Sequence, residues 1–181
     1  MSVLVHFGSF IERVRDFDEN QGRMGGQVRR ILAATLIWLS CCGLAWTKDL
    51  ALISNKSNSV QPMTLQELTK ISKGQVEHWP DGKAVSFVTR DPTLPDMKIL
   101  LEKVYGMSKE EVKALIASAN HGRTNHPAIM VVETDEEAVK QVESTPGAVG
   151  VVDVYSISGA VTVVKLGGKL PLEPGYPLHG N

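Results

Sequence analysis

Two short stretches, Trp79-Pro80-Asp81-Gly82-Lys83 and Thr145-Pro146-Gly147-Ala148-Val149-Gly150, decide how this chain is read. Pro-Asp-Gly is turn chemistry: proline presets φ, the aspartate bonds back to its own backbone, and glycine accepts a positive φ. The turn reverses the chain ahead of residues 84–89, which are rich in β-branched and aromatic side chains and read as a strand closed by Asp91-Pro92. Pro146-Gly147 likewise opens residues 149–154. That run is too continuously apolar for a strand with one wet face, so it is placed mid-sheet with both faces covered.

Working outward, three capping boxes mark helix starts: Thr64 with Glu67, Ser108 with Glu111, and Thr134 with Glu137. The first helix runs over 65–72, burying Leu65, Leu68 and Ile71 and stopping at Gly74. Pro95 suits the first turn of another, in which Met97, Leu100, Leu101 and Val104 share a face. Val112, Leu115 and Ile116 form the stripe of the helix after Ser108, and the helix after Thr134 ends near Ser144. Residues 50–53 and 161–166 read as strands, and 129–132 as a strand or an extended loop. An arm over 171–181, with three prolines, is expected to pack through Leu172, Tyr176 and Leu178. Strands interleaved with short helices define an α/β domain with a mixed four- or five-stranded sheet flanked by helices. Ligands in such sheets gather where strand ends meet helix starts, here the ends of 84–89 and 50–53.

Ahead of this domain, residues 31–46 form an uninterrupted apolar run behind Arg29-Arg30, with Gly43-Leu44-Ala45 as a small-residue exit. These are the parts of a secretory signal cleaved after Ala45. The run is shorter than the ~20 residues of a spanning helix, and retention as an inner-membrane anchor through 31–46 is the alternative. Met24 begins a leader of bacterial proportions, so 24–45 is read as the signal, 46–181 as the domain, and 1–23 as an extended start or cytoplasmic tail. Both cysteines, Cys41 and Cys42, fall in the apolar run, and Ser40 before Cys41 leaves lipidation as a further option. The domain is thus periplasmic or secreted, without a disulfide of its own. A chain with 19 basic and 20 acidic residues carries no charge excess suited to nucleic acid.

The candidate site is the segment from Arg90 to Pro95, which leaves a strand end through an arginine and enters a helix. Arginine's forked cation suits oxyanions, and the first N–H groups of a helix point outward with the positive end of its dipole. Arg90, Asp91 and Thr93 are the candidate ligand-binding residues, with Thr93 also the expected helix cap. The residues alone leave a second reading open, in which Thr93 only caps, Arg90 pairs with Asp91 or Asp96, and no ligand is involved. His78, His121 and His126 are too scattered, and too lacking in Cys or Glu at ligand spacing, to argue for a metal. Gly122-Arg123-Thr124 is either a second basic contact beside the site or a turn. Trp79 packs on the preceding helix or, less simply, stacks on a ligand. No nucleophile elbow, HExxH or P-loop is present, so an enzyme is not expected, nor a cofactor.

The two opening motifs, with Arg90 between them, resemble the second lobe of phosphate-type solute-binding proteins of ABC transporters, a type 2 periplasmic-binding-protein fold. In that family a W-x-D-G turn precedes the arginine strand and a P-G-A-I-G-Y turn opens a later one; Val151 stands where the tyrosine is usual. The resemblance implies an acidic residue after the arginine and a Ser-Gly-Thr at the helix start to hold the anion. Arg90 and Asp91 match, Thr93 stands for the serine, and Leu94 and Pro95 replace the rest. It further implies a small, phosphate-like oxyanion as ligand, bound weakly because no first-lobe anion loop occurs over 46–59. An ABC permease or another envelope protein would be the partner, and two copies pairing as a homodimer would rebuild a clamp. The alternative is a non-catalytic envelope interaction module that keeps the fold without the ligand. N-terminal sequencing of the exported protein is expected to begin at Trp46; a mature chain retaining Ser2 would overturn the leader assignment.

Overall fold

The computed structural model describes residues 48–92 and 94–180. The leader or anchor, both cysteines and Thr93 lie outside the described residues, and Trp46–Asn181 forms one compact unit. Five strands make a single mixed sheet: β1 (Leu50–Asn55), β2 (Ser86–Arg90), β3 (Ile129–Val132), β4 (Ala148–Asp153) and β5 (Val161–Val163), in the order β3-β2-β4-β1-β5. The central β2 is parallel to β3 and β4, whereas β1 runs antiparallel to β4 and β5. Residues 129–132 are therefore a strand. Residues 161–166 form one over only half their length, because Leu166 leaves the ladder to bridge Met63 and Lys169.

Among the described residues, four helices cover the two faces. Helix α1 (Leu65–Ser72) and helix α3 (Lys109–Ala119) carry complete capping boxes at Thr64 and Ser108. Helix α4 (Asp135–Ser144) has half of one: Thr134 caps Glu137, but the Glu137 carboxylate turns back to accept from Glu133 N at 3.0 Å. Between them, Pro95–Met97, Lys98–Leu100 and Leu101–Tyr105 run on as 3-10, α and π turns, together helix α2.

Strand alternation sorts the core into two layers. Leu50, Leu52, Phe87, Ile129, Val149 and Val151 face α1, α2, α3 and the C-terminal arm. Ile53, Val88, Ala148 and Val152 face Ala138, Val139 and Val142 of α4. As its unbroken apolar pattern requires, β4 is buried on both faces. The arm takes up the edge of β1 that the short β5 leaves open: Leu50 N donates to Leu178 O at 3.2 Å and Leu52 N to the Tyr176 hydroxyl at 3.3 Å. Tyr176 and Leu178 are buried accordingly, but Leu172, expected in that packing, is exposed with φ 70°.

The two turn motifs meet. Trp79 Nε1 donates to Gly147 O at 2.8 Å, and Gly147 N donates to Asn58 Oδ1 at 2.8 Å. Gly147 sits at φ 88°, where a Cβ would lie 2.0 Å from Ala84 O. Gly150 is needed for a different reason: a Cβ there would press on Val142 Cγ2 and Val88 O at 3.0 Å each, lifting α4 off the sheet. Gly147→Ala is expected to destabilise the fold by about 3 kcal/mol or more, since strained backbone and a backbone clash coincide. Urea unfolding measures this, with Gly82→Ala as control, because Gly82 shares the positive φ but has open space around its Cβ position.

Candidate functional site

Parallel pairing brings the C-terminal ends of β2, β3 and β4 to one edge of the sheet, and with them the starts of α2 and α4. Because β1 is antiparallel, its N-terminal flank reaches the same edge, so Lys48 arrives beside Arg90. The far end of β1 lies at the opposite edge, so the ends of 84–89 and 50–53 do not converge as expected. Register explains the difference: Leu50 pairs with Asp153, while Ser86 pairs with Ala148.

Five charged side chains meet there. Asp96 Oδ2, in the first turn of α2, accepts from Arg90 Nη1 and, at 2.9 Å, from Lys48 Nζ. Asp135 Oδ2, at the start of α4, lies 3.3 Å from each of the same two nitrogens. Asp153 Oδ2 lies 3.4 Å from Lys48 Nζ. Backbone groups hold the carboxylates in place: Asp153 N donates to Asp135 Oδ1 at 3.2 Å, and Tyr155 N to Asp153 Oδ1 at 2.9 Å. Arg90 Nε donates to Glu133 O at 3.3 Å, so the guanidinium is fixed along two sides. The Arg90 and Asp135 side chains are 15% and 9% exposed, so water screens their attraction little; Asp96 and Lys48 stand nearer the solvent.

Two cations against three carboxylates leave one negative charge in excess among the described residues. Burial pushes the Asp96 carboxyl up, but the hydrogen bonds from Lys48 and Arg90, with their charge, outweigh it and hold the group below its ordinary value. For Lys48, burial pulls downward, and the Asp96 hydrogen bond with the nearby carboxylates more than reverses it.

Of the expected site residues, Arg90 ends β2 and points into this cluster. Asp91 follows it, half-buried, its carbonyl accepting from Leu94 N at 3.1 Å. Leu94 takes the helix N-cap position expected of Thr93 and offers no side-chain acceptor; it packs instead against the main core. The Gly122-Arg123-Thr124 loop is not beside Arg90. Arg123 pairs with Glu77 at 2.6 Å, and His126 meets Ser86, which begins β2, at 3.1 Å, placing the loop at the other end of the strand. Trp79 also serves that end, packed against the core with its indole fixed on Gly147.

In open α/β sheets, an edge where parallel strand ends meet helix starts is where ligands gather. The PBP superfamily domain matches residues 42–174, and the chain belongs to that family. Among solved structures the chain is similar to an ABC-type phosphate transport receptor from Vibrio cholerae, at 19% identity and a TM-score of 0.56 over 74% of this chain and 54% of that one. It is similar to PstS from Borrelia burgdorferi at 16% identity and a TM-score of 0.56, covering 75% and 55% of the two chains. A phosphate-binding protein from Stenotrophomonas maltophilia follows at 15% identity and a TM-score of 0.52, covering 69% and 40%. The chain thus spans about half the length of these relatives, and the likeness read from the turn motifs holds at the level of the fold. No curated protein matches the sequence.

Stability is expected to be flat at mid pH and to fall at both extremes. Asp96 has a depressed folded-state pKa, so its contribution is present above its ordinary value of 3.8 and is lost as pH falls through the folded value. Lys48 has a raised one, so its contribution is complete below 10.5 and is lost as pH climbs through the folded value. Thermal unfolding across pH checks both limbs, and Lys48→Met should flatten the alkaline one.

Proposed function

We propose that this chain is an exported, solute-binding-like domain that contacts a small tetrahedral oxyanion, phosphate foremost, at the edge where Arg90 and Lys48 converge. The observation that carries this is that both cations donate to a single oxygen, Asp96 Oδ2, which makes their meeting point a seat for an anionic oxygen. Family membership and the phosphate-binding relatives support the ligand class. Arg90 provides the fork, and Asp91 and Thr93, which follow it in the sequence, are the further candidate contacts. Binding is weak, because the seat lies at an open edge and its charge excess is negative. Export through the 24–45 leader, and delivery to an ABC-type permease for phosphate uptake, complete the reading. The domain performs no catalysis.

A second reading, a docking module of the envelope that binds no anion, is favoured by one observation: the bonds of the Arg90 guanidinium go to Asp96, Asp135 and Glu133 of its own chain.

Calorimetry on the full chain with phosphate, sulfate and a phosphonate separates the two. The expected result is a phosphate affinity in the millimolar range that is lost in Arg90→Lys, which keeps the charge but not the fork. No heat and no thermal shift at tens of millimolar phosphate would leave docking alone.

A further inference from the structure

We infer that the Asp96 carboxylate is a tethered stand-in for the anion, seated between Lys48 and Arg90, and that this internal carboxylate sets how tightly the seat takes a free anion. The inference rests on the reading that an oxyanion binds at this edge. It goes beyond that reading by naming what occupies the seat when no anion is present and which residues set the affinity.

Three observations lead there. One Asp96 oxygen takes a hydrogen bond from both cations, as an oxygen of a bound oxyanion would. The other two carboxylates have further anchors: Asp135 accepts from Asp153 N, and Asp153 from Tyr155 N. Asp96 is held by the two cations and is the most exposed of the three, at 26%. Among the described residues it is therefore the carboxylate that a side-chain rotation can remove without breaking a backbone contact. Its position also favours release. It lies in the 3-10 turn of Pro95–Met97, where Pro95 has no N–H and Leu94 supplies no side-chain cap, and among the described residues the donors to its carboxylate are the two cations. Met97 and Leu100, buried behind it, keep α2 in place while the carboxylate moves.

In this arrangement a free anion binds by exchange. Asp96 swings outward, and an anionic oxygen takes over the hydrogen bonds from Lys48 Nζ and Arg90 Nη1, with Asp135 and Asp153 still holding the two cations in position. The cost of binding is the loss of the Asp96 pairing, so affinity is set by a residue that does not touch the bound anion.

The test is calorimetry with inorganic phosphate on the full chain, comparing wild type, Asp96→Asn, Asp153→Asn and the double variant Asp96→Asn with Lys48→Met. Asp96→Asn keeps the shape, removes the competing charge, and is expected to bind phosphate at least tenfold more tightly than wild type. The double variant should lose that gain. Asp153→Asn changes the cluster's net charge by the same amount without emptying the seat, and should gain less than threefold. Equal gains in the two single variants would overturn the tethered-occupant inference in favour of a net-charge effect. Phosphate binding unchanged by Asp96→Asn, yet lost in Arg90→Lys, would also overturn it while leaving the oxyanion reading intact. No binding by any variant, all folded by thermal unfolding, would remove that reading and this inference with it.

Discussion

The Gly147 peptide is gripped from both sides, and the rest of the domain takes its register from that grip. Its carbonyl accepts the Trp79 indole N–H, its N–H reaches the Asn58 side chain, and its missing Cβ lets Ala84 O approach. Two turns distant in sequence are thereby fastened together at one end of the sheet, directly ahead of β2 and β4. Once Ser86 is set opposite Ala148, pleating decides every side chain that follows: Phe87 and Val149 to one layer, Val88 and Ala148 to the other. A slip of one residue would reverse those faces and set Arg90 against a different neighbour. The charged edge is thus positioned by contacts at the opposite end of the same two strands.

At that edge the protein solves an electrostatic problem with its own groups. Parallel strands deliver two helix starts, whose dipoles favour negative charge, and Asp96 and Asp135 occupy those first turns. A mostly buried Arg90 needs a counter-charge, because an uncompensated ion there would cost several kcal/mol. Asp135, tied to the Asp153 backbone, meets that need without help from solvent. Lys48 then shares three carboxylates and joins the start of β1 to α2, α4 and β4. The cluster is consequently structural, and removing one member perturbs the others.

Local features were legible in the sequence because local chemistry makes them. The capping boxes at Thr64 and Ser108, the Pro80-Asp81-Gly82 turn and the continuous apolar run of β4 need no distant partner to be recognised. Arg90 was also visible, as a cation leaving a strand, and Asp96 stood six residues away as a candidate partner. Lys48, Asp135 and Asp153 were missed. They join the site only through sheet order, and the Lys48 to Asp135 contact spans 87 residues. Lys48 reads only as a charge just beyond the apolar run of 31–46, Asp135 as an acidic residue suited to any helix start. The clue to Lys48 lay in the direction of β1, which neither composition nor periodicity specifies. Leu172 misled for the opposite reason: its hydrophobicity suggested packing, but the turn around Glu173 holds it outward at positive φ.

On the proposed reading, the arginine that ends β2 does not by itself capture an anion tightly. A tethered carboxylate competes with free phosphate as an intramolecular ligand, and even short flexible tethers give effective concentrations in the millimolar range. Asp96 is held more rigidly than that, by a helix turn whose Met97 is buried in the core. Free anion at comparable concentration therefore meets a seat already filled, and gains only if it forms bonds that Asp96 cannot. A tetrahedral oxyanion carries several acceptor oxygens where the carboxylate presents one to the cations, so further donors would shift the exchange toward it. Such donors, whether from a second copy or a partner's surface, would bind the anion and dock on this edge in one event, and the two functional readings would then describe a single process.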